Sequence, residues 1–256
     1  MSKINKAFEN GKAFIGFLTA GDPDIETTTE CIYAMEKAGA DLIEIGIPFS
    51  DPIAEGIVIQ NANIRALKSD TYPEKIFETV KKIRKKSQIP LVFLTYLNPV
   101  FNFGYDNFFK NCEETGIDGI IIPDLPFEEK DEIKEISDKY GIDIISLIAP
   151  TSQDRIKMTA REAKGFIYIV SSMGVTGVRK EITTDIKSII RMIKKETKIP
   201  CAIGFGINTA EQAKYFADIS DGVIVGSAIV KIIEKYGKDS PEYVYDYVKK
   251  MKDAMI

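Results

Sequence analysis

One acidic residue interrupts an apolar segment at a position that suggests acid–base chemistry. Glu44 lies within LIEIGI, and Ile43 and Ile45 point to the opposite face if the segment is a β-strand. A carboxylate inside a buried strand is costly unless it is paired or protonated, and burial raises its pKa. We therefore interpret Glu44 as a candidate acid–base catalyst. A structural salt bridge and an outward-facing charge between helices are the alternatives.

Three other carboxylates lie in predicted turns and carry a weaker signal. Glu55, in the segment DPIAEG, would by its position alone be a solvated loop charge. Asp51 precedes Pro52, which is ordinary turn chemistry. Asp22 precedes a proline at the start of a predicted helix, so we expect it to be the N-cap.

Glycines cluster after three apolar segments in the second half of the chain, in GVTG (174–177), GFGI (204–207) and GS (226–227). Glycine lets backbone N–H groups approach an anion, and helix N-termini add a partial positive charge. The alternative is a set of turn glycines needed for positive φ or tight packing. Because three clusters follow successive segments, we expect a phosphate site. These clusters contain no lysine, so the backbone would do most of the binding.

Composition excludes several kinds of catalytic site. The chain has no histidine, and its three cysteines, Cys31, Cys112 and Cys201, lie far apart. Histidine-dependent triads, cysteine–histidine dyads and histidine-ligated metals are therefore excluded, and a cysteine-rich zinc site is disfavoured. We expect reduced, buried thiols. A Schiff-base aldolase would need a lysine at a strand end, and the predicted strand ends offer none.

Charge and hydropathy limit the class of protein. The net charge of −4 leaves no basic surplus for a nucleic-acid backbone. Apolar runs stay below the ~18 residues of a membrane span, and the N-terminus lacks the pattern of a signal peptide. We therefore expect a cytoplasmic protein.

Eight short apolar segments must position these groups. Each is followed by a stretch with helical periodicity, which is typical of parallel strands buried on both faces. Eight such units in 256 residues predict a (β/α)8 barrel of the α/β class, in one domain over residues 1–256. An open doubly wound sheet is the alternative. The segments lie at 13–19, 41–47, 90–96, 118–123, 142–149, 166–172, 200–206 and 221–227.

Two connections stand out from the regular alternation. The second predicted strand is followed by a longer loop and two helical segments, VIQNANIRALKSD and YPEKIFETVKKIRKK. The tail DSPEYVYDYVKKMKDAMI predicts a final helix, with Ser240 as its cap and Pro241 in its first turn.

The active site of such a barrel lies at the carboxyl ends of the strands. A phosphate site beside one buried carboxylate, with neither a Schiff-base lysine nor metal ligands, needs a substrate that carries its own electron sink. An indole ring is such a sink, because protonation at C3 makes a cation that can expel a side chain.

The segment LIEIGIPFSDPIAEG resembles the second-strand signature of the tryptophan synthase α subunit family. The resemblance covers essentially the whole chain, including FLTAGDP, YLNPVFNFG, PDLP, GVTG, GFGI and VGSAIVKIIE. It implies a (β/α)8 barrel that cleaves indole-3-glycerol phosphate to indole and glyceraldehyde 3-phosphate. It also implies an α2β2 complex, in which a β subunit receives the indole and uses its own pyridoxal phosphate; no cofactor is expected in this chain.

The resemblance also implies roles for individual residues. Glu44 matches the catalytic glutamate that protonates indole C3 and later helps to deprotonate the glyceryl hydroxyl. Glu55 matches the catalytic aspartate that accepts the indole N–H, and Thr176 matches the loop threonine that orients it. Positions that match the indole pocket are Phe17, Leu94, Ile121, Tyr168, Phe205 and Ile224. Positions that match the phosphate site are Gly177, Gly206, Gly226 and Ser227.

Several residues depart from the family pattern. Where the family usually has DGPTIQ, this chain has Glu55-Gly56-Ile57-Val58-Ile59-Gln60, so the aspartate is a glutamate and the Pro-Thr pair is Ile-Val. After the sixth predicted strand, Ser172 stands where the family often has arginine. We expect a live but slowed enzyme, because ~1 Å of misplacement can cost ~100-fold in rate. The alternatives are a degenerate α subunit that mainly regulates the β subunit, and a stand-alone indole-releasing lyase.

Overall fold

Nine parallel strands form one sheet in the computed structural model, which describes residues 3–150, 152–170, 183–204 and 206–256. The strands are short and mostly buried, as their apolar and β-branched sequences require. Their bounds are β1 (Ala13–Thr19), β2 (Leu42–Gly46), β3 (Leu91–Leu94), β4 (Gly119–Ile121), β5 (Asp143–Ile144), β6 (Ser146–Ile148), β7 (Ile167–Val170), β8 (Cys201–Gly204) and β9 (Gly222–Val225).

The sheet closes on itself through its fifth predicted strand. The spatial order is β5-β4-β3-β2-β1-β9-β8-β7-β6, and only Ile145 separates β5 from β6 in the chain. The first of these short strands pairs with β4 and the second with β7. Ile145 donates its N–H to the carbonyl of Ile120 at 2.8 Å. The predicted (β/α)8 barrel is therefore confirmed, with one strand broken in two, and the open doubly wound sheet is wrong.

Helices connect the strands and cover the outside of the barrel. The two helices predicted after the second strand are confirmed as α2 and α3. Within the described ranges, no helix is both long enough and apolar enough to cross a membrane. The helices are α1 (Ile25–Lys37), α2 (Ile57–Lys68), α3 (Pro73–Ile83), α4 (Leu97–Phe103), α5 (Tyr105–Thr115), α6 (Asp131–Lys139), α7 (Gln153–Arg161), α8 (Thr183–Glu196), α9 (Ala210–Ile219), α10 (Ser227–Tyr236) and α11 (Ser240–Asp253).

Strand alternation divides the apolar side chains into two cores. Residues on the outer face, such as Ile43 and Ile45, belong to the large cluster between sheet and helices. Residues that alternate with them fill the barrel interior. In β2 the inward positions are therefore those of Leu42 and Glu44. The interior cluster includes Ile15, Leu42, Val92, Ile121, Ile145, Phe166, Ala202 and Ile224.

Two predicted helix caps are wrong, and in both cases the side chain has another partner. The N-cap of α1 is Asp24, whose carboxylate accepts from the N–H of Thr27 at 2.7 Å. Asp22 is buried and forms a bidentate ion pair with Arg65 at 2.7 and 2.8 Å.

At the last helix, α11, the N-cap is Asp239, and Ser240 is the first helical residue. The Ser240 hydroxyl is fully buried against the Cys31 thiol at 3.4 Å. Burial against another helix thus determines the position of this side chain, rather than the local cap signal.

Candidate active site

Glu44 lies on the inner face of β2, and its carboxyl group is shielded from water. The residue is 1% exposed, and Oε1 has no hydrogen-bond partner among the residues that the structure describes. In the part of the chain that the structure describes, no basic side chain forms an ion pair with it. Burial raises the pKa of Glu44 to about 8, so the group is largely protonated at neutral pH. The predicted burial is confirmed, the outward-facing alternative is wrong, and no described residue supplies the salt bridge of the other alternative.

Tyr168, on β7, projects into the same interior. Its burial, and then the nearby charge of Glu44, raise the pKa of Tyr168 well above the usual tyrosine value. The tyrosine ring packs against Gly204 on the neighbouring strand β8. If residue 204 had a Cβ atom, that atom would lie only 2.6 Å from Tyr168 Cζ. A glycine is therefore required at this position for the ring to fit beside the carboxyl group of β2.

The other described residues of the predicted indole pocket lie on the interior face as well. Phe17 of β1 is paired in register with Glu44 of β2 and is 4% exposed. Its ring lies over Gly46: if residue 46 had a Cβ atom, that atom would be only 2.8 Å from Phe17 Cζ. Phe17 shares a small apolar cluster with Leu94. The structure therefore places an apolar wall beside the buried carboxyl group. Ile121 and Ile224 belong to the interior cluster, and Phe205 lies outside the described residues.

Glu55 lies in the loop before α2, yet its carboxylate is not freely solvated. Asn63 Nδ2 donates to Glu55 Oε2 at 2.7 Å, and Gln60 Nε2 donates to the carbonyl of Glu55 at 2.8 Å. Burial raises the pKa of Glu55 to about 7, and the bond from Asn63 opposes this shift. The interpretation as a solvated loop charge, which the position alone favoured, is wrong.

This loop is attached to the end of β3 through Tyr96. The N–H of Ala54 donates to Tyr96 Oη at 3.0 Å, and the rings of Phe49 and Tyr96 lie 5.4 Å apart. Burial raises the pKa of Tyr96 to about 12. The hydrogen bond from Ala54 opposes this rise, and the nearby charge of Glu55 adds to it. The loop after β2 therefore lies against the carboxyl end of its neighbour strand. Sequence reasoning missed both Asn63 and Tyr96.

Two of the three glycine clusters lie at the carboxyl ends of neighbouring strands. Gly206 follows β8, and Gly226 and Ser227 follow β9, where Ser227 begins α10. Gly206 has φ of +77°, and within the described ranges no atom beyond its chain neighbours lies within 4 Å of where its Cβ would be, so no described side chain fills the space beside it. The arrangement offers backbone N–H groups and a helix N-terminus to an anion. The third cluster, with Thr176 and Gly177, lies outside the described residues, as does Ser172.

Apolar side chains are exposed on the loop that carries Glu55 and on α4. Ile53 is 79% exposed, Ile57 66% and Phe101 63%. Tyr96 connects this loop to α4, because its hydroxyl accepts a hydrogen bond from the N–H of Ala54 and the residue is the N-cap of α4. Among the described residues, no group of three or more acidic or cysteine side chains is placed to bind a metal ion.

Comparisons with known proteins agree on one family. The family model described as tryptophan synthase alpha chain matches residues 3–255. The chain is 50% identical over 255 residues to the tryptophan synthase alpha chain of Lacticaseibacillus casei, covering 100% of this chain and 96% of that protein. The crystal structure of tryptophan synthase subunit alpha from Legionella pneumophila strain Paris has 37% identity and a TM-score of 0.90, with 100% and 98% of the two chains covered. A chain from a structural study of mutual activation of the tryptophan synthase α2β2 complex of Pyrococcus furiosus has 37% identity and a TM-score of 0.87, with 95% and 98% covered.

Proposed function

The chain belongs to the tryptophan synthase alpha chain family, and we propose on that premise that Glu44 and Glu55 perform its reaction in the mouth of the barrel. The enzyme is a lyase of tryptophan biosynthesis, and it cleaves indole-3-glycerol phosphate to indole and glyceraldehyde 3-phosphate. The observation that carries the assignment of roles is the buried carboxyl group of Glu44, whose Oε1 has no hydrogen-bond partner among the described residues, beside an apolar wall.

Glu44 acts as the acid and then as the base. Its pKa of about 8 keeps a proton available at neutral pH, and the carboxyl group delivers this proton to C3 of the indole ring. The resulting cation draws in the electrons of the bond between C3 and the glyceryl chain, which breaks as the adjacent hydroxyl becomes an aldehyde. The proton released from that hydroxyl returns to the Glu44 carboxylate, so that no net proton is consumed.

Glu55 accepts the indole N–H and so stabilises the positive charge that develops on the ring. Its pKa of about 7 leaves a large ionised fraction at neutral pH, and the bond from Asn63 favours the ionised form. The side chain is one methylene longer than the aspartate of the family. We propose that Asn63 holds one oxygen of this longer side chain while the other meets the substrate.

The apolar residues of the mouth hold the indole ring, and the glycines hold the phosphate. Backbone N–H groups at the ends of β8 and β9, together with the N-terminus of α10, suit a phosphate group. Thr176 orients Glu55. We propose Phe17, Leu94, Ile121, Tyr168, Phe205 and Ile224 for the indole, and Gly177, Gly206, Gly226 and Ser227 for the phosphate.

The chain acts with a tryptophan synthase β subunit in an α2β2 complex. The Pyrococcus furiosus relative belongs to such a complex, and the exposed apolar residues next to Glu55 suit a docking surface. Pyridoxal phosphate belongs to the β subunit, and we propose that this chain needs no cofactor of its own. We also propose a single domain over residues 1–256 and a cytoplasmic location.

A steady-state assay with indole-3-glycerol phosphate, with and without the β subunit, tests this function. We expect indole release that depends on Glu44 and increases when the β subunit is added. A degenerate, regulatory α subunit would show no loss of indole release in Glu44→Gln. A stand-alone lyase would be unaffected by the β subunit.

A further inference from the structure

A cavity lies at the break between β5 and β6, beside the residues that follow β4. Its volume is about 180 Å³. β4 pairs with β5 and β6 pairs with β7, so the sheet opens between Pro123 and Ser146 at the level of this cavity. Ser146 alternates with the inward-facing Ile145 and Leu147 and so faces outward, toward α6 and α7. The inward-facing Ile145 and Leu147 also line the cavity, so it reaches into the barrel wall at this break, but it is lined by none of the residues proposed for the indole or the phosphate.

Lys130 lines this cavity, and its ammonium group lacks a partner. The residue is only 9% exposed. Among the described residues its side chain forms no hydrogen bond or ion pair. A buried ammonium without a partner is costly, and desolvation lowers the pKa of Lys130 accordingly. The cavity thus contains a cation that a bound anion would stabilise.

The acidic residues near Lys130 already pair with other bases. Glu162 pairs with Lys134 at 3.3 Å, and Asp138 pairs with Lys164. Arg155, which also lines the cavity, pairs with Glu128 at 2.6 Å. Asp131 also lies 3.9 Å from Lys134, so the charges around the cavity balance overall. Lys130 is nevertheless the cationic group of the lining that has no carboxylate within ion-pair distance among the described residues, and a bound carboxylate would supply that partner.

The rest of the lining is divided between hydroxyl groups and apolar side chains. Ser146 and Thr159 are 9% and 8% exposed, and neither side chain has a hydrogen-bond partner among the described residues. Leu125, Phe127 and Leu147 provide apolar surface in the same lining. Hydroxyl donors beside one ammonium group suit a carboxylate, and the apolar side suits a small hydrophobic body.

We propose that this cavity is a binding site for a small monocarboxylate with an apolar body, held by Lys130, Ser146 and Thr159. Its lining shares no residue with the proposed substrate site, and its existence does not depend on the roles proposed for Glu44 and Glu55. Leu147, which forms part of its wall, is paired in register with Tyr168. A ligand here therefore borders the strand that supplies one side of the indole pocket.

Calorimetric titration of the full chain with benzoate at low ionic strength tests the proposal, with benzamide as the neutral isostere. We expect benzoate to bind and benzamide not to bind. Lys130→Met keeps the length of the side chain but removes its charge, and it should lower the affinity for benzoate at least about tenfold. Thr159→Val should lower that affinity about threefold. The matched control is Lys134→Met: Lys134 lies one turn into α6, is less buried and is already paired with Glu162, so this change should alter the affinity by less than about twofold.

Three results would overturn the proposal. Equal benzoate affinity in wild type and Lys130→Met would remove the lysine from the site. Displacement of benzoate by glyceraldehyde 3-phosphate would place the ligand in the barrel mouth instead. Binding of inorganic phosphate but not of benzoate would contradict the carboxylate class. Circular dichroism of each variant establishes that the fold is retained, and Thr159→Val supplies an independent test if Lys130→Met does not fold.

Discussion

Asn63 Nδ2 donates a hydrogen bond to Glu55 Oε2 at 2.7 Å, and this contact joins α2 to the loop that precedes it. Asn63 is 3% exposed, so the bond is formed away from bulk water, where hydrogen bonds to charged groups are strong. The bond favours the ionised form of Glu55, while burial favours the protonated form. The position and the charge of this carboxylate are therefore set by a residue eight positions further along the chain.

The pH profile of kcat/KM should be a narrow bell with an optimum between about 7 and 8. Glu55 must be ionised, so the rate rises through its pKa of about 7, and Glu44 must be protonated, so the rate falls through its pKa of about 8. Asn63→Ala removes the bond that lowers the pKa of Glu55. The rising limb should then move to higher pH by about one unit, with the falling limb unchanged.

Asn61→Ala, on the same helix, is the matched control for this shift. Asn61 is only half-buried, and the side-chain hydrogen bond to the Glu55 carboxylate comes from Asn63 instead. If Asn63→Ala lowers the rate equally at every pH, Asn63 has only a structural role.

Two substitutions of Glu55 should show separately how the charge and the length of this side chain affect kcat/KM. Glu55→Gln removes the anionic acceptor for the indole N–H, so kcat/KM should fall at least about tenfold. Glu55→Asp restores the family residue, but it should not raise the rate much. Ile57 and Val58 differ from the family's Pro-Thr pair, so the loop is not matched to an aspartate, and the shorter side chain would not extend to Asn63. Kinetics of the three proteins provide the check, and a Gln variant equal to wild type would show that Glu55 has no role in catalysis.

Gly206→Leu should raise KM for indole-3-glycerol phosphate about tenfold or more. A side chain at this open position would block the approach of phosphate to the backbone. Gly237→Leu is the matched control, because Gly237 also has positive φ and, in the part of the chain that the structure covers, no atom beyond its chain neighbours within 4 Å of its Cβ position. Both variants should lose about 1 kcal/mol or more of stability from backbone strain. An equal KM in the two variants would place the phosphate elsewhere.

Phe101→Ser should weaken activation by the β subunit while leaving the basal rate of the α chain unchanged. Phe101 is 63% exposed on α4, so its loss costs little stability, whereas an aromatic side chain at an interface can contribute strongly to binding. We expect the β subunit concentration for half-maximal activation to rise about tenfold. Met158→Ser, on α7 and 48% exposed, serves as the control. Identical activation curves for the two variants would exclude α4 from the interface.

The barrel and the burial of Glu44 could be predicted because both follow from local periodicity. Alternation within LIEIGI places Glu44 opposite Ile43 and Ile45, whatever the rest of the chain does. The break of the fifth strand at Ile145 could not be predicted, because the apolar run is continuous there and the break depends on which neighbour each half pairs with.

Long-range partners account for what sequence reasoning missed. Asp22 looked like a helix cap, but Arg65, which is 43 residues away, holds it in an ion pair. Glu55 looked solvated, because nothing in its own loop shows that α2 and Tyr96 bury it. A polar residue on the buried side of α2, as Asn63 is, was the one available signal.

The turnover number of Glu44→Gln with indole-3-glycerol phosphate tests the central claim most directly. Glutamine keeps the shape of the side chain but has no carboxyl proton to deliver to C3 or to recover from the glyceryl hydroxyl. The account predicts a fall in kcat of about 100-fold or more, with KM little changed, both with and without the β subunit. A kcat near that of the wild type would contradict the assignment of Glu44 as the acid–base catalyst.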